Sequence, residues 1–362
     1  MNSEQSFSGT KDMAASHAFE VAVLEAYLRD HLPGFQAPLR VEQFKGGQSN
    51  PTYLLHAQNQ RYVMRTKPAP VTQLLPSAHA IEREYRVMQA LQGTAVPVAK
   101  MHLSCQDESV IGRAFYVMEF VEGRVLWDQA LPGMTGSQRA AHYDELNRVM
   151  AALHQVDPQA VGLSDYGKPG NYFERQIARW SKQYVASITT PIEAMDRLME
   201  WLPANIPPPA RGDGEVSIVH GDFRIDNVIF HPSEPRILAV LDWELSTLGH
   251  PLADFSYHCM SWHIPHHLGR GMGGLHPMPE GIPSEADYVA RYAERTGRTD
   301  LEALRANWNF YLAYNLFRIA AILQGIAKRF VDGTASSAQA RSAGEGAKPL
   351  ADLAWDFARR HA

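Results

Sequence analysis

The pattern of apolar and polar positions along this chain changes near residue 123. Before it, the pattern predicts mainly strands, with a hairpin over 41–57, strands over 61–67, 96–98 and 114–121, and helices over 18–32 and 80–91. After it, apolar residues recur at helical spacing, and the predicted helices are 142–153, 171–187, 192–202, 288–296, 301–330 and 350–360. The sequence therefore predicts a strand-rich first part and a larger, mainly helical second part.

The most informative stretch interrupts the helical part and runs from 217 to 242. Runs rich in Val and Ile predict short buried strands at 217–219, 228–230 and 237–241. The first two flank a polar loop, His-Gly-Asp-Phe-Arg-Ile-Asp-Asn, and the third ends at an Asp. We expect the ends of these strands to bring together the polar side chains His220, Asp222, Arg224, Asn227 and Asp242.

Transfer of a phosphoryl group requires this kind of residue set. The protein must hold a divalent metal through oxygen ligands, orient a hydroxyl with a carboxylate and place a cation near the moving charge. Asp222 can accept the proton of a substrate hydroxyl, and Arg224 can bridge to the phosphate. Asn227 and Asp242 can supply oxygen ligands to the metal. Two other interpretations are a Gly-Asp turn whose carboxylate caps backbone amides, and a metal site built from His220 and the Asp residues.

The spacing of these residues resembles the catalytic loop of protein kinases, in the variant used by the aminoglycoside phosphotransferase and choline kinase-like family. The shared pattern is His-Gly-Asp, four residues, Asn, and a further Asp at 242. The resemblance, over about 40–330, implies an α+β, protein-kinase-like two-lobe fold and the use of ATP or GTP with Mg²⁺. It divides the chain into a disordered arm at 1–15, a small, mainly antiparallel β N-lobe at 16–122 and a larger, mainly helical C-lobe at 123–362.

The family resemblance also implies a set of nucleotide-binding residues. Adjacent glycines let backbone amides approach an anion, so the loop in the first hairpin is expected to cover the phosphates with Gly46, Gly47, Ser49 and Asn50. A plain Gly-rich turn is the alternative. Arg65 falls at the position of the kinase lysine, with Lys67 as the fallback cation, and Glu84 matches the helix carboxylate that pairs with it.

The strand over 114–121 resembles the hinge of a kinase. The adenine would lie against Met118 and bond to the backbone of Glu119 and Val121; a buried strand without a ligand is the alternative. Asp254 lies at a predicted helix start, where it can cap the helix, and in the family it braces the catalytic loop from behind. His220 is expected to position the loop rather than to transfer protons.

Composition limits the classes of function. The net charge of −5 gives no footprint for nucleic acid. Two cysteines, Cys105 and Cys259, fit a reducing compartment. We find no apolar run of membrane-spanning length and no signal peptide, so no membrane partner is expected and a cytoplasmic location is the default. The sequence does not determine the oligomeric state.

Residues 258–283 are rich in His and Gly and are predicted to form a loop that faces the substrate; a metal site is the alternative. Residues 257–283 carry one acidic residue, Glu280, whereas a polycationic aminoglycoside needs a cluster of carboxylates. The sequence therefore favours a small-molecule O-phosphotransferase with a neutral or anionic acceptor.

Residues 44–53 and 75–80 are more closely similar to the phosphotransferase-like domains joined to acyl-CoA dehydrogenases, which implies a hydroxyacyl acceptor. The alternatives are a nucleotide-binding pseudokinase with a regulatory role and an aminoglycoside phosphotransferase.

Overall fold

The structure is a computed structural model that describes residues 9–14, 17–45, 50–58, 60–68, 81–212, 214–268, 271–333 and 344–361. The chain forms two compact units. The first unit contains Met1–Trp127, Val161–Leu163 and Ile225–Ser246, and the second contains Asp128–Ala160, Ser164–Arg224 and Thr247–Ala362. The chain therefore passes from the second unit to the first within the predicted catalytic loop, after Arg224.

The first unit is built on a six-stranded antiparallel sheet in the order β1-β2-β3-β4-β6-β5. Its strands are β1 Thr10–Lys11, β2 Arg40–Phe44, β3 Thr52–His56, β4 Arg61–Thr66, β5 Met101–Cys105 and β6 Phe115–Glu119. Strand β5 shows the alternation of a sheet, because Met101, Leu103 and Cys105 are buried while His102 and Ser104 between them are less so.

Two helices supply the apolar surfaces that this sheet needs. Helix α1, Val21–His31, buries Leu24 and Leu28 in one cluster with Tyr53 and Met64 of the sheet. Helix α2, Ile81–Leu91, packs against β5 and β6. The apolar spacing of both segments predicted the helices, and residues three and four apart share the helical face that makes these contacts.

A hairpin from later in the chain completes the first unit. Its strands are β8 Val228–Phe230 and β9 Ile237–Val240, with β7 Ser217–Val219 preceding them in the second unit. The backbone of Arg124 exchanges two hydrogen bonds of 2.8 Å with that of Phe230. The neighbouring Gly123 is required, because a Cβ there would lie 2.3 Å from the carbonyl oxygen of Phe230.

The second unit is mainly helical. Its helices are α3 Gly136–His154, α4 Tyr172–Ser187, α5 Glu193–Ala204, α6 Pro251–Cys259, α7 Glu285–Arg295, α8 Leu301–Val331 and α9 Ala347–Arg359. Helix α8 packs against α4, α6 and α9, and β7 pairs antiparallel with β10, Thr247–Gly249. The unit therefore has an apolar helix at its core, as the long apolar pattern over 301–330 predicted.

Three local predictions need correction. The strand predicted over 96–98 begins only at Met101, after Pro97, which has no N–H for a sheet ladder. Helix α3 begins at Gly136 rather than at 142, because Thr135 and Gln138 form a capping box that starts it earlier. The first residue before α6 is His250, whose ring accepts a hydrogen bond from the N–H of Leu252. Asp254 therefore does not cap α6.

The predicted substrate-facing loop at 258–283 is in part helical and packed. His258 belongs to α6 and is buried, and short 3₁₀ helices follow at Met260–Trp262 and His266–Leu268. Met272 is completely buried, and its N–H donates to the carbonyl of Ser261. Gly271 and Gly273 allow close backbone contact with residues 263–264, since a Cβ at Gly273 would lie 2.3 Å from the carbonyl oxygen of His263.

Helix α8 also qualifies the statement that no apolar run reaches membrane-spanning length. Among the described residues, Leu301–Val331 is long and apolar enough to cross a membrane, by length and composition only. In its most apolar window 67% of the residues are buried inside the protein. A core helix of a large protein passes the same test, so this helix is weak evidence for a membrane span.

Candidate active site

The loop over 220–227 is anchored by a buried apolar side chain, and polar side chains on either side of it are part-exposed. Phe223 is completely buried, whereas the side chains of Asp222 and Arg224 each keep 17% of their surface exposed. The turn requires Gly221, because its φ of +83° lies in the left-handed region. The loop therefore holds its two charged residues at the surface of the second unit.

Asp254 of α6 fixes the backbone of this loop. Its carboxylate accepts hydrogen bonds from the N–H groups of His220 at 2.7 Å and Gly221 at 2.8 Å. The ring of His154 contacts the same carboxylate at 3.2 Å and the hydroxyl of Tyr292 at 2.6 Å. Burial acts to raise the pKa of Asp254, but its contacts with the two histidines outweigh this and hold that pKa below its ordinary value. The predicted bracing of the loop is confirmed.

The carboxylate of Asp222 is held by donors from the second unit. Nη1 of Arg224 lies 3.2 Å from Oδ1 of Asp222, and the hydroxyl of Tyr257 donates to the same oxygen. The N–H of Asp222 lies 3.2 Å from Nδ1 of His220, which accepts it. His220 is thus part of the framework of the loop, where the sequence analysis expected it to position the loop.

The arginine at 318, in α8, connects the loop with Tyr257. Its Nη2 donates to the carbonyl of Gly221 at 2.8 Å, and its guanidinium carbon lies 5.1 Å from the ring centroid of Tyr257 and 5.7 Å from that of Trp180. Arg318 is only 7% exposed. A buried cation between aromatic rings is held in place by packing as well as by its hydrogen bond.

The two predicted metal ligands lie at the same end of the β8–β9 hairpin in the first unit. Val228 pairs with Val240, and the N–H of Leu241 donates to the carbonyl of Asn227 at 2.8 Å. Asp242 follows in the left-handed conformation, with φ +63° and ψ +57°. Its side chain keeps 36% of its surface exposed, so its carboxylate is accessible at the hairpin end.

The guanidinium of Arg65 lies among three carboxylates of the first unit. Nε is 3.2 Å from Oε2 of Glu84, and Nη2 is 3.0 Å from Oδ1 of Asp242 and 3.4 Å from Oε2 of Glu244. Burial acts to lower the pKa of Arg65, but these negative charges outweigh it and hold that pKa above its ordinary value. Since three carboxylates face one cation, the cluster has an excess of negative charge.

Glu84 is the buried member of this cluster. Its side chain is 1% exposed and accepts hydrogen bonds from Nδ2 of Asn50 at 2.9 Å and from the hydroxyl of Tyr116 at 3.1 Å. Burial raises the pKa of Glu84 more than the charge of Arg65 lowers it. Asn50, predicted to contact nucleotide, is itself completely buried and holds Glu84. Its contact with nucleotide stays a prediction.

Lys67, the fallback cation, pairs with another glutamate. Its amino group contacts Glu82, and the two side chains are 34% and 39% exposed. An exposed pair of this kind contributes little to stability. The geometry therefore favours Arg65 over Lys67 as the cation that corresponds to the kinase lysine.

Comparison with known proteins identifies the family. A family model described as "Phosphotransferase enzyme family" matches residues 40–309, which is well over half of the chain. The chain belongs to the phosphotransferase enzyme family. Membership supports a small-molecule phosphotransferase, and the recognition made from the 220–242 pattern is confirmed.

A curated relative in the mouse links the family member to acyl-CoA dehydrogenases. The chain is 44% identical over 354 residues to mouse acyl-CoA dehydrogenase family member 10. The match covers 97% of this chain but 32% of the relative. The chain therefore spans about a third of the length of that protein.

Solved structures confirm the predicted fold. A candidate aminoglycoside phosphotransferase from Ralstonia eutropha is 60% identical, with a TM-score of 0.87 over 95% of this chain and 100% of that one. Choline kinase from Cryptosporidium parvum is 12% identical, with a TM-score of 0.63 over 94% of this chain and 95% of that one. The second similarity shows the fold alone. The α+β, protein-kinase-like fold class is thus confirmed.

The remaining residues predicted for the family's nucleotide site are placed as follows. Gly46, Gly47 and Ser49 lie outside the described residues. Met118 and Glu119 close strand β6, where Met118 is half-buried and the side chain of Glu119 is exposed. The N–H of Glu119 donates to the carbonyl of Lys100 at 2.8 Å, and Val121 follows the strand half-buried. Their contact with adenine stays a prediction.

Several residues that contact the predicted site residues had no role in the sequence analysis, among them Tyr257, Arg318 and Glu244. Tyr257 and Arg318 hold the loop, and Glu244 joins Asp242 at Arg65. Tyr257 comes three residues after Asp254 on a helix, and Arg318 is a charge within the apolar run of α8. Both positions could have been noticed in the sequence. Residues at i, i+3 spacing share a helical face, and a charged residue in a core helix needs a partner.

Proposed function

We propose that this protein is a small-molecule O-phosphotransferase that moves the γ-phosphate of ATP or GTP to a hydroxyl group of a neutral or anionic acceptor. The observation that carries the proposal is Asp222, a part-exposed carboxylate on a loop whose backbone Asp254 braces. Such a fixed carboxylate can orient a hydroxyl for in-line attack, which is the main protein contribution to phosphoryl transfer.

The proposed reaction assigns one role to each residue. The acceptor oxygen bonds to the γ-phosphorus, the bond from that phosphorus to the bridging oxygen breaks, and the nucleoside diphosphate leaves with the electron pair. Asp222 receives the hydroxyl proton, and Arg224, beside it, neutralises charge on the transferring group. Arg65, held by Glu84, is the cation for the nucleotide phosphates.

The donor set at the end of the β8–β9 hairpin fits Mg²⁺. Asp242 supplies an accessible carboxylate and Asn227 an amide oxygen, which are hard oxygen ligands of the kind that Mg²⁺ prefers. The excess of carboxylates around Arg65 also favours a divalent cation. When bound, Mg²⁺ would neutralise charge on the nucleotide phosphates.

A hydroxyacyl compound is the proposed acceptor. The support is the relative, named as an acyl-CoA dehydrogenase family member, of which this chain matches about a third. The one acidic residue within 257–283 gives further support, because a polycationic amino-sugar would need more negative charge nearby. A cytoplasmic location is proposed on the two free, buried cysteines, Cys105 and Cys259.

The test is nucleotide consumption by purified protein with Mg²⁺, with ATP and GTP, across hydroxyacyl thioesters, free hydroxy acids and aminoglycosides. We expect acceptor-dependent release of nucleoside diphosphate, with hydroxyacyl compounds preferred. Asp222→Asn should lower kcat about 10²- to 10⁴-fold with nucleotide affinity unchanged, since it removes a general base. Asp352→Asn, an exposed carboxylate of α9, is the matched control and should keep full activity.

The outcomes separate the alternatives. Phosphorylation of an amino-sugar but of no hydroxyacyl compound would overturn the proposed acceptor and support an aminoglycoside phosphotransferase. Nucleotide binding with no turnover on any acceptor would overturn the enzyme and support the pseudokinase.

A further inference from the structure

The hydroxyl of Tyr257 and the side chain of Arg224 meet at one oxygen of Asp222. The phenol donates to Oδ1, and Nη1 of Arg224 approaches the same oxygen at 3.2 Å. A carboxylate can rotate about its terminal torsion, which has a broad energy profile. Two donors from different elements, α6 and the loop itself, restrict that rotation by fixing the position of Oδ1.

The side chain of Tyr257 is itself held in place, so its hydroxyl can fix the position of the Asp222 carboxylate. Its side chain is buried, at 6% exposure, and the guanidinium of Arg318 lies 5.1 Å from its ring centroid. The same guanidinium donates to the carbonyl of Gly221 at 2.8 Å. Arg318 therefore ties the ring of Tyr257 to the backbone of the loop that carries Asp222.

Helix α6 contacts the loop at two levels. Asp254 binds the backbone amides of His220 and Gly221, and Tyr257, three residues later on the same helical face, binds the side chain of Asp222. The second contact is not needed to hold the backbone, because the first already does so. It therefore acts on the orientation of the carboxylate.

The hydroxyl of Tyr257 is suited to donate to a carboxylate at all working pH values. Burial first, and then the negative charge of Asp222, raise the pKa of Tyr257 above its ordinary value. The phenol thus keeps its proton beside the carboxylate. A bond from a neutral donor to an ionised acceptor is one of the stronger hydrogen bonds in proteins.

We propose that Tyr257 is a positioning residue of the phosphotransferase. Its hydroxyl sets the orientation in which Asp222 accepts the proton of the acceptor hydroxyl, and Arg318 holds the phenol ring in place beside the loop. The inference rests on the proposed function and adds a determinant of its chemical step. Tyr257 acts through Asp222, so it affects the rate of transfer rather than the binding of nucleotide.

The experiment compares Tyr257→Phe with Tyr143→Phe in the full chain. Both changes delete one buried phenol oxygen in the second unit, but the recorded partners of the Tyr143 hydroxyl are the carbonyl of Gln129 and the sulfur of Met272, which lie outside the loop over 220–227. With the acceptor that the panel identifies, we expect Tyr257→Phe to lower kcat about 10- to 100-fold, which is the effect of a small misplacement of a reacting group. KM for nucleotide should equal that of the wild type, and Tyr143→Phe should keep the wild-type kcat.

A double variant separates positioning from a purely structural role. If Tyr257 acts through the carboxylate of Asp222, then adding Tyr257→Phe to Asp222→Asn should lower kcat no further. A structural defect would instead lower the rate in both backgrounds and raise KM for nucleotide. Circular dichroism and thermal unfolding of each single variant show whether the fold is retained.

The results separate the positioning role of Tyr257 from the proposed function. Wild-type turnover with a kcat for Tyr257→Phe equal to that of Tyr143→Phe would overturn the positioning role and leave the proposed function standing. Additive losses in the double variant would also overturn it. Absence of turnover in the wild type would overturn the proposed function and this inference together.

Discussion

The two units hold their carboxylates in different ways. In the first unit three carboxylates lie around the guanidinium of Arg65. In the second unit backbone amides hold Asp254, and a phenol and a neighbouring arginine hold Asp222. The first arrangement leaves an excess of negative charge, and Asp242 remains accessible within it. The second gives each carboxylate its own hydrogen-bond donors. An excess of negative charge attracts cations, whereas hydrogen-bond donors aimed at a carboxylate fix its orientation.

The largest expected effect comes from removing the cation of the first unit. Arg65→Met should destabilise the protein by about 3–5 kcal/mol, because breaking a buried ion pair leaves Glu84 charged and buried. Lys67→Met is the matched control in the same unit. It should cost at most about 1 kcal/mol, since Lys67 and Glu82 are part-exposed. Urea unfolding of both variants measures the difference, and equal losses would show that the Arg65 cluster has no special role in stability.

The second-largest loss of stability is expected when the hydrogen bonds between Asp254 and the backbone of the loop are disrupted. Asp254→Asn retains the shape of the side chain, but it replaces one acceptor oxygen with an NH₂ group that faces the loop amides. We expect a loss of about 2–4 kcal/mol, the cost of unsatisfied buried donors and of lost bonds to a charged group. The measurement is the denaturation midpoint. Asp352→Asn, an exposed member of an i, i+4 pair, should change it little, and similar values for the two variants would contradict the bracing role.

The smallest effect is a difference in pH dependence between the units. Burial lowers the pKa of His258 from 6.5 to about 4 in the folded second unit. The unfolded chain binds this proton more readily, so stability present above about pH 6.5 is lost as the pH falls toward 4, by up to about 3 kcal/mol. His258→Phe should remove this loss on acidification.

Glu84 of the first unit should act in the opposite direction. Burial raises its pKa above the ordinary 4.5, so the folded protein holds this proton more tightly than the unfolded chain does. Its contribution is fully present below pH 4.5 and is lost as the pH rises through the folded pKa. Stability of Glu84→Gln against pH, measured beside His258→Phe, gives the comparison, and changes of slope with the same sign would contradict it.

Much of the fold was predictable because it depends on local patterns. The strands β3 and β4 carry short continuous apolar runs that are buried, and helices α4 and α8 show apolar stripes of full length. The region over 258–283 was predicted as one substrate-facing loop from its Gly and His, whereas 258–262 and 266–268 are helical. In the structure Gly271 and Gly273 allow close backbone contact with residues 263–264, and the local sequence does not reveal that partner segment.

The candidate site shows the same division. The sequence could propose roles for Asp222, Asn227 and Asp242, because the chemistry of phosphoryl transfer fixes residue types and spacing along one continuous loop and hairpin. Tyr257 and Arg318 were not, although both contact that loop. They lie 35 and more residues away in the chain, and only the packing of helices brings them to it.

The amino-acid sequence was thus enough to identify the family and the fold class and to predict which residues take part in the chemistry. Tertiary structure alone decided which cation pairs with Glu84, which residue caps α6 and which side chains hold Asp222 in place. The physical reason is that motif spacing and hydrophobic period are local properties of the chain. Hydrogen bonds and ion pairs between distant residues depend on how close packing aligns the elements, and many sequences with the same pattern could align them differently.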